Sequence, residues 1–381
     1  MTLKCTQAAE LDASFGENGR QVVQTPGNFT NNLSTVAIDP QGRLTLIGSY
    51  QRVSPVANRP GVGRLLDSGD FDIAFGAYKD GLTVAPENVE AATASGLAWM
   101  PDGSFYITGP AFNQLPLVHY DRDGTLIEYL SLVDSPTATS QLLAMSDTVM
   151  VATSNPEGGI VYRYPEQPDG PDFGTDGKAT FLTGSSYVST LHMARNIDSS
   201  LFYLAGEVAN DGYIVRMDLS GNLDPGFANA GVYRIKMLDA RYSACRRVIA
   251  LADGKILALV NGSGSDADPA CHVIRLTETG RVDATFNRGE PVRVGEVGED
   301  MSLQADGKFL VAHRSPQTGN HVTRYLPTGS ADTSFGDNGT GVFTTSSDQI
   351  SFVKGVVAQP DGKIVIAGTF GSTTALLRLL A

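Results

Sequence analysis

The side chains best able to do chemistry in this chain are few and scattered. Five histidines and three cysteines occur among 381 residues. His313 and His321 flank the short segment Arg314 to Asn320, so a hairpin there would bring the two imidazoles together. Two imidazoles do not make a metal site, which takes three or four ligands. A channel-wall or surface role is the plainer reading for both, as it is for His192 and His272. A hard cation such as calcium would need clustered oxygens, and Glu299, Asp300 and Asn32 are the obvious suppliers. Asp266 and Asp268 carry part of a calcium-loop spacing without the remaining ligands. No cofactor and no metal are therefore expected, with a divalent cation such as calcium as the alternative. No Gly-x-Ser-x-Gly elbow, phosphate loop or dinucleotide fingerprint occurs.

Placing these residues requires the elements that carry them, and those come as repeats. Gln359-Pro360-Asp361-Gly362-Lys363 precedes the apolar run Ile364 to Ala367. Echoes stand at Asp102-Gly103, Asp253-Gly254-Lys255 and Asp306-Gly307-Lys308, a weaker one at Gln41-Gly42, and degenerate ones at Asp147-Thr148 and Asp198-Ser199. Asp-Gly between apolar runs is a tight hairpin turn, with glycine supplying the positive φ. A unit of roughly 55 residues matches one four-stranded propeller blade. We call its strands A to D, with this turn between A and B.

A second pattern follows in most units. Arg64, Arg216, Arg275 and Arg324 each close an apolar run. A glycine comes five residues later, an aspartate eight and a phenylalanine eleven: Gly69, Asp72 and Phe75 in the first case. We read the arginine as the end of strand C, the glycine as the C–D turn, and Asp-x-x-Phe as the start of strand D. In the second unit His119 replaces the arginine and Ile127 the aspartate, so the two are lost together. That points to a charge-assisted Arg–Asp pair holding blades together. The chain starts on a lone strand D element, Leu11 to Gly16, and ends on strand C, Leu376 to Leu380. The expectation is a single domain over 1–381, an all-β seven-bladed propeller closed by the N-terminal strand joining the last blade, with six blades as the alternative. Closure removes exposed sheet edges.

With these residues on the page, the chain resembles the delta-60 repeat family. Gln359 to Gly368, a closing arginine, and Asp332-Thr333-Ser334-Phe335-Gly336 carry the likeness, as does 12–19. The resemblance implies a propeller, a bacterial origin, often a surface or secreted setting, and an interaction role. It supplies no catalytic motif.

On a propeller the repetitive A–B and C–D turns share one face, and the variable D–A and B–C loops the other. Function on a symmetric scaffold usually lies in variable loops. The innermost strands would bring Ser140, Gln141, Ser189, His192, Arg246, Glu299, Asp300 and Lys354 to the axial mouth on that face. A concave polar mouth is the default site, and a merely water-filled channel is the plain alternative. Tyr50, Phe112, Tyr187, Tyr242 and Phe370 near the same face suit sugar or peptide contact, or core filling. Cys245 and Cys271 sit in strands A and C of one blade, about 10 Å apart, beyond the reach of a disulfide, so free thiols are expected.

Composition narrows the partners. The net charge of −13 and the absence of a basic run exclude nucleic acid as a main partner. No apolar stretch is long enough to span a membrane. The N-terminus lacks a signal-peptide core, so a cytoplasmic location is expected, with secretion or surface association as the alternative. The expected function is a monomeric, non-enzymatic module binding a glycan, peptide or protein through the D–A/B–C face. A metal-assisted hydrolase or lyase at the axial mouth is the alternative.

Overall fold

The computed structural model describes residues 9–25, 29–52, 57–87, 89, 93–109, 114–134, 140–165, 173–185, 187–195, 200–237, 240–264, 268–336 and 339–380. These form seven four-stranded antiparallel sheets, so the six-bladed alternative falls. Blade 1 comprises Phe29–Ile38, Leu44–Arg52, Ala57–Leu65 and Leu82–Val84; blade 2 comprises Gly96–Trp99, Phe105–Thr108, Gln114–Tyr120 and Leu126–Asp134. Blade 3 runs through Gln141–Ala144, Val149–Asn155, Gly158–Tyr164 and Lys178–Phe181, and blade 4 through Val188–Arg195, Leu201–Val208, Asp211–Asp218 and Val232–Ile235. Blade 5 has Tyr242–Ala250, Ile256–Ser263, Ala270–Leu276 and Val292–Gly295; blade 6 has Val297–Leu303, Phe309–Ser315, Gly319–Tyr325 and Val342–Thr345. Blade 7 has Phe352–Ala358, Ile364–Phe370 and Thr373–Leu379, and Arg20–Val23 completes it as strand D by pairing with Thr373–Leu379. No described helix is long and apolar enough to cross a membrane.

The apolar cores lie between blades. Among the described residues seven hydrophobic clusters occur, one at each junction of neighbouring blades. Phe15, Val23 and Leu376 of blade 7 meet Leu33, Leu46 and Leu65 of blade 1 in one of them, so apolar packing closes the ring. The middle strands are buried on both faces, as in Ile256–Val260. This is why they read as continuous apolar runs rather than as alternation.

The Asp-Gly turns behave as read: Gly254 donates to the Leu251 carbonyl at 3.0 Å and Gly362 to the Gln359 carbonyl at 2.9 Å, both at positive φ. The blade 3 turn has no glycine and closes through Met145 N–H to the Thr148 carbonyl at 2.8 Å. The blade 4 turn at Asp198 lies outside the described residues.

One element needs correction. Asp-x-x-Phe does not begin strand D. It is a tight turn inside the C–D connection, with Phe75 N–H on the Asp72 carbonyl and Phe335 N–H on that of Asp332. Strand D starts several residues later, at Leu82 and Val342 in those blades. The cause is the aspartate's double duty. One carboxylate oxygen caps the turn, as Asp283 Oδ1 accepts from Thr285 N–H at 2.9 Å. The other takes the strand C arginine: Arg64–Asp72, Arg275–Asp283, Arg324–Asp332 and Arg378–Asp12 all sit at 2.8 Å.

Three of these arginines also reach forward. Arg64 donates to the Arg122 carbonyl of blade 2 at 2.8 Å, Arg275 to that of Pro327 in blade 6 at 2.6 Å, and Arg378 to that of Asp67 in blade 1 at 2.7 Å. The guanidinium lies over its own motif phenylalanine, 4.3 Å for Arg64 on Phe75 and 4.6 Å for Arg378 on Phe15. That ring in turn touches the C–D glycine of the next blade. A Cβ on Gly69 would stand 3.0 Å from Phe15, and one on Gly280 would stand 2.9 Å from Phe227. The spacing Arg, Gly, Asp, Phe is therefore one device joining two blades.

Blade 2 replaces it. His119 stacks on Tyr106 at 3.9 Å and contacts Glu128 at 3.4 Å, and Tyr164 of blade 3 donates to Glu128 at 3.1 Å.

Asp12→Ala should cost about 3–5 kcal/mol in denaturant unfolding, because it strands the buried Arg378. Asp361→Ala, which removes a half-exposed partner of Lys363, should cost under about 1 kcal/mol. Equal losses would show that the Arg378–Asp12 pair is not a closing contact.

Candidate functional site at the axial mouth

The site begins with a recurrent irregularity in the innermost strands. Pairing of strand A with strand B skips one residue in five blades: between Leu33 and Thr35, Thr190 and His192, Cys245 and Arg247, Gly298 and Asp300, and Val353 and Gly355. The skipped residues are Ser34, Leu191, Arg246, Glu299 and Lys354. A β-bulge re-aims the extra side chain and leaves it unpaired. Strand B makes room for the displaced backbone. A Cβ on Gly48 would stand 2.2 Å from the Asn32 carbonyl, and one on Gly206 would stand 1.8 Å from that of Ser189.

All five skipped residues line one axial cavity of about 320 Å³, together with Thr35, Thr93, Ala94, Ser95, Gln141 and Arg247. Its wall is divided in ring order. Blades 1 to 3 supply hydroxyl and amide groups, blade 4 supplies Leu191, and blades 5 to 7 supply charge. The neutral arc is internally braced: Ser95 donates to the Ser140 carbonyl at 2.6 Å, and Gln141 to the Ser95 carbonyl at 3.0 Å. In the charged arc Arg314, from strand B of blade 6, holds Glu299 Oε1 at 2.8 Å, while Arg246 stands 3.8 Å from Oε2. Among the described residues no carboxylate lies within ion-pair distance of Lys354.

Of the residues expected at the mouth, Gln141, Arg246, Glu299 and Lys354 line the cavity. Ser140 and Ser189 are buried. Two others stand one position past a bulge and serve contacts between blades. Asp300 is 1% exposed; it pairs with Arg247 and accepts from Val356 N–H of blade 7 at 3.1 Å. His192 Nδ1 faces Val248 N–H of blade 5 at 3.4 Å. Burial, with Arg247 close by, pushes this imidazole well down, so it stays neutral.

Tyr50 is also corrected. It is 2% exposed, and Gly61 and Gly63 of strand C leave room for its ring in the core. Asn32 is exposed and Asp268 lines a separate groove between blades 4 and 5. Asp266 and Phe112 lie outside the described residues. Tyr187 and Tyr242 are exposed, and Phe370 lies beneath Arg20. Cys245 and Cys271 are buried free thiols; Cys5 lies outside the described residues.

His313 and His321 do meet, as cross-strand partners with ring centroids 5.2 Å apart. His313 is buried opposite Gly298, its Nε2 2.9 Å from Thr323 Oγ1. His321 faces Thr318 and Thr344. No group of three or more metal-ligating side chains occurs among the described residues.

Ser34, Leu191, Arg247 and Arg314 were not anticipated. A signal existed for the bulge position. Ser34, Arg246, Glu299 and Lys354 each precede their turn glycine by eight residues, as does Ser95, which lines the cavity without a bulge.

Comparison with known proteins agrees on the architecture. The model of a β-propeller domain of unknown function, DUF5122, matches residues 304–335 and 359–381. No curated protein matches the sequence. Among solved structures the Dos1 propeller superposes with a TM-score of 0.54 at 9% identity, covering 94% of this chain and 82% of that one. The PQQ-bound aldose sugar dehydrogenase of Streptomyces coelicolor gives 0.46 at 12% identity, covering 95% and 97%. TolB of Acinetobacter baumannii gives 0.42 at 14%, covering 84% and 64%. At such identities the likeness concerns the fold alone, and the two weaker superpositions carry no argument.

Burial, helped by His321, pushes the His313 imidazole down to about 4. The unfolded chain therefore binds this proton more readily than the folded one. The associated stability is complete above the ordinary histidine value and is lost as pH falls through it toward 4, up to roughly 3 kcal/mol in all. His313→Gln should flatten the fall in unfolding free energy between pH 7 and 4. An unchanged slope would contradict a buried neutral imidazole.

Proposed function

We propose that this chain is a non-enzymatic binding module, a propeller of bacterial delta-60-type repeats. Its axial mouth on the D–A/B–C face receives a glycan, peptide or protein segment. The observation that carries this reading is the convergence of five bulged side chains on one cavity. A bulge gives up ladder hydrogen bonds, and its recurrence at the same offset around the ring puts Ser34, Leu191, Arg246, Glu299 and Lys354 at the axis instead of in the core. Convergent polar groups in a concave, otherwise well-packed scaffold are what a binding site requires.

The charge pattern supports the same place. The cavity wall holds Arg246, Arg247 and Lys354 against Glu299, a cationic arc in a chain of net charge −13. A charged cleft with low-dielectric walls focuses its field on an approaching partner.

Labelled protein on glycan and peptide arrays tests the proposal. An Arg246→Ala, Lys354→Ala double variant should lose at least about 90% of specific retention, the loss of roughly two charge-assisted contacts. Arg122→Ala, on the opposite face, should retain it, and all three proteins should melt together. Retention that survives the double variant but fails with Arg122→Ala would place binding on the other face. Retention by none of them on any array would overturn the binding reading.

A further inference from the structure

We infer that the axial mouth selects an acidic sugar, with a hexuronate residue of a glycan as the group held at the axis. This rests on the mouth being the binding site and adds the chemical class of its ligand.

The argument comes from the division of the wall. The arc from blades 1 to 3 presents Ser34, Thr35, Thr93, Ser95 and Gln141, neutral hydroxyl and amide groups, of which Ser95 has its proton on the Ser140 carbonyl and is left to accept. It contains no charged side chain. Such a surface suits the hydroxyls of a pyranose, each of which is both donor and acceptor. Leu191, between the arcs, offers an apolar patch that suits the C–H face of a sugar ring. The opposite arc offers an uncompensated cation. Glu299 is already committed to Arg314 at 2.8 Å and Asp300 to Arg247 and the Val356 amide. Arg246 keeps only a 3.8 Å approach to Glu299, and Lys354 has no carboxylate partner among the described residues. A ligand carboxylate in the cavity would offer Arg246 and Lys354 a partner, with the strength of charge-assisted bonds.

Size agrees with one sugar residue. The axial cavity has a volume of about 320 Å³. That is room for one pyranose ring and some solvent, and too little for a folded domain. A bare anion would leave the hydroxyl arc without a role, and a neutral sugar would leave the cationic arc without one.

The test uses the full chain and trisaccharides of galacturonate, glucuronate, mannuronate and guluronate. Each is compared with its methyl ester, and acetate serves as a bare carboxylate, all by calorimetry at low ionic strength. At least one trisaccharide should bind, its ester should bind about tenfold more weakly or worse, and added sodium chloride should weaken the acid form. Arg246→Gln and Lys354→Gln should each cost about tenfold at unchanged melting temperature, whereas Lys354→Arg should keep most of the affinity. An ester that binds as tightly as its acid, through a site still sensitive to Lys354→Gln, would overturn the acidic-sugar inference and leave the mouth as a binding site. Acetate competing at equal concentration would also overturn it, by revealing a site for any anion. Failure of all four trisaccharides overturns it as well. If array retention is also indifferent to Arg246 and Lys354, the proposed function falls too.

Discussion

The whole ring depends on how one blade holds the next. Each blade alone is a thin sheet whose two faces are apolar, and neither can be buried within it. The strand C arginine solves the polar part of that problem. Its Nε pairs with an aspartate of its own C–D connection, its face lies over a phenylalanine, and its Nη1 reaches a carbonyl of the following blade, as in Arg64, Arg275 and Arg378. A buried guanidinium is costly unless its donors are met. Here they are met from two blades at once, so the contact forms only when the neighbours dock in register. The last case, Arg378 with Asp12 and Asp67, joins the two ends of the chain through the same contact that joins adjacent repeats.

Placing cohesion at the C–D connections and between blades frees the axis. Strand A pairs on one side only within its own sheet, and its inner edge faces the channel. In blades 4 and 6 the residue after the bulge, His192 or Asp300, contacts the neighbouring blade, while the bulged residue itself is left to the cavity. In those two blades structural contact and candidate site are separated by a single position along strand A.

That single position also marks what could be read from the amino-acid order. The repeat, the closure by Arg20–Val23 and the structural role of the arginines were legible because each rests on a spacing that recurs. Arg246, Glu299 and Lys354 follow from lying at the starts of the innermost strands. Asp300 and His192 were placed at the mouth because strand alternation cannot be counted through a bulge: one extra residue swaps which side chain faces the axis. Asp-x-x-Phe follows the C–D glycine and so reads as the start of strand D, whereas the two oxygens of its aspartate serve a turn and an arginine. Tyr50 needed strand C to be known, since Gly61 and Gly63 decide that its ring goes inward. Arg314 enters the site from strand B and carries no repeat signature.

The account stands on the N-terminal strand being a full member of blade 7, locked by Arg378. Native-state hydrogen exchange at the amides of Arg20–Val23 tests this most directly. It predicts protection comparable to that of the partner strand Thr373–Leu379, because strands of one closed sheet open together. Exchange at the rate of a frayed chain end, with Thr373–Leu379 still protected, would show that the ring holds without its closing strand.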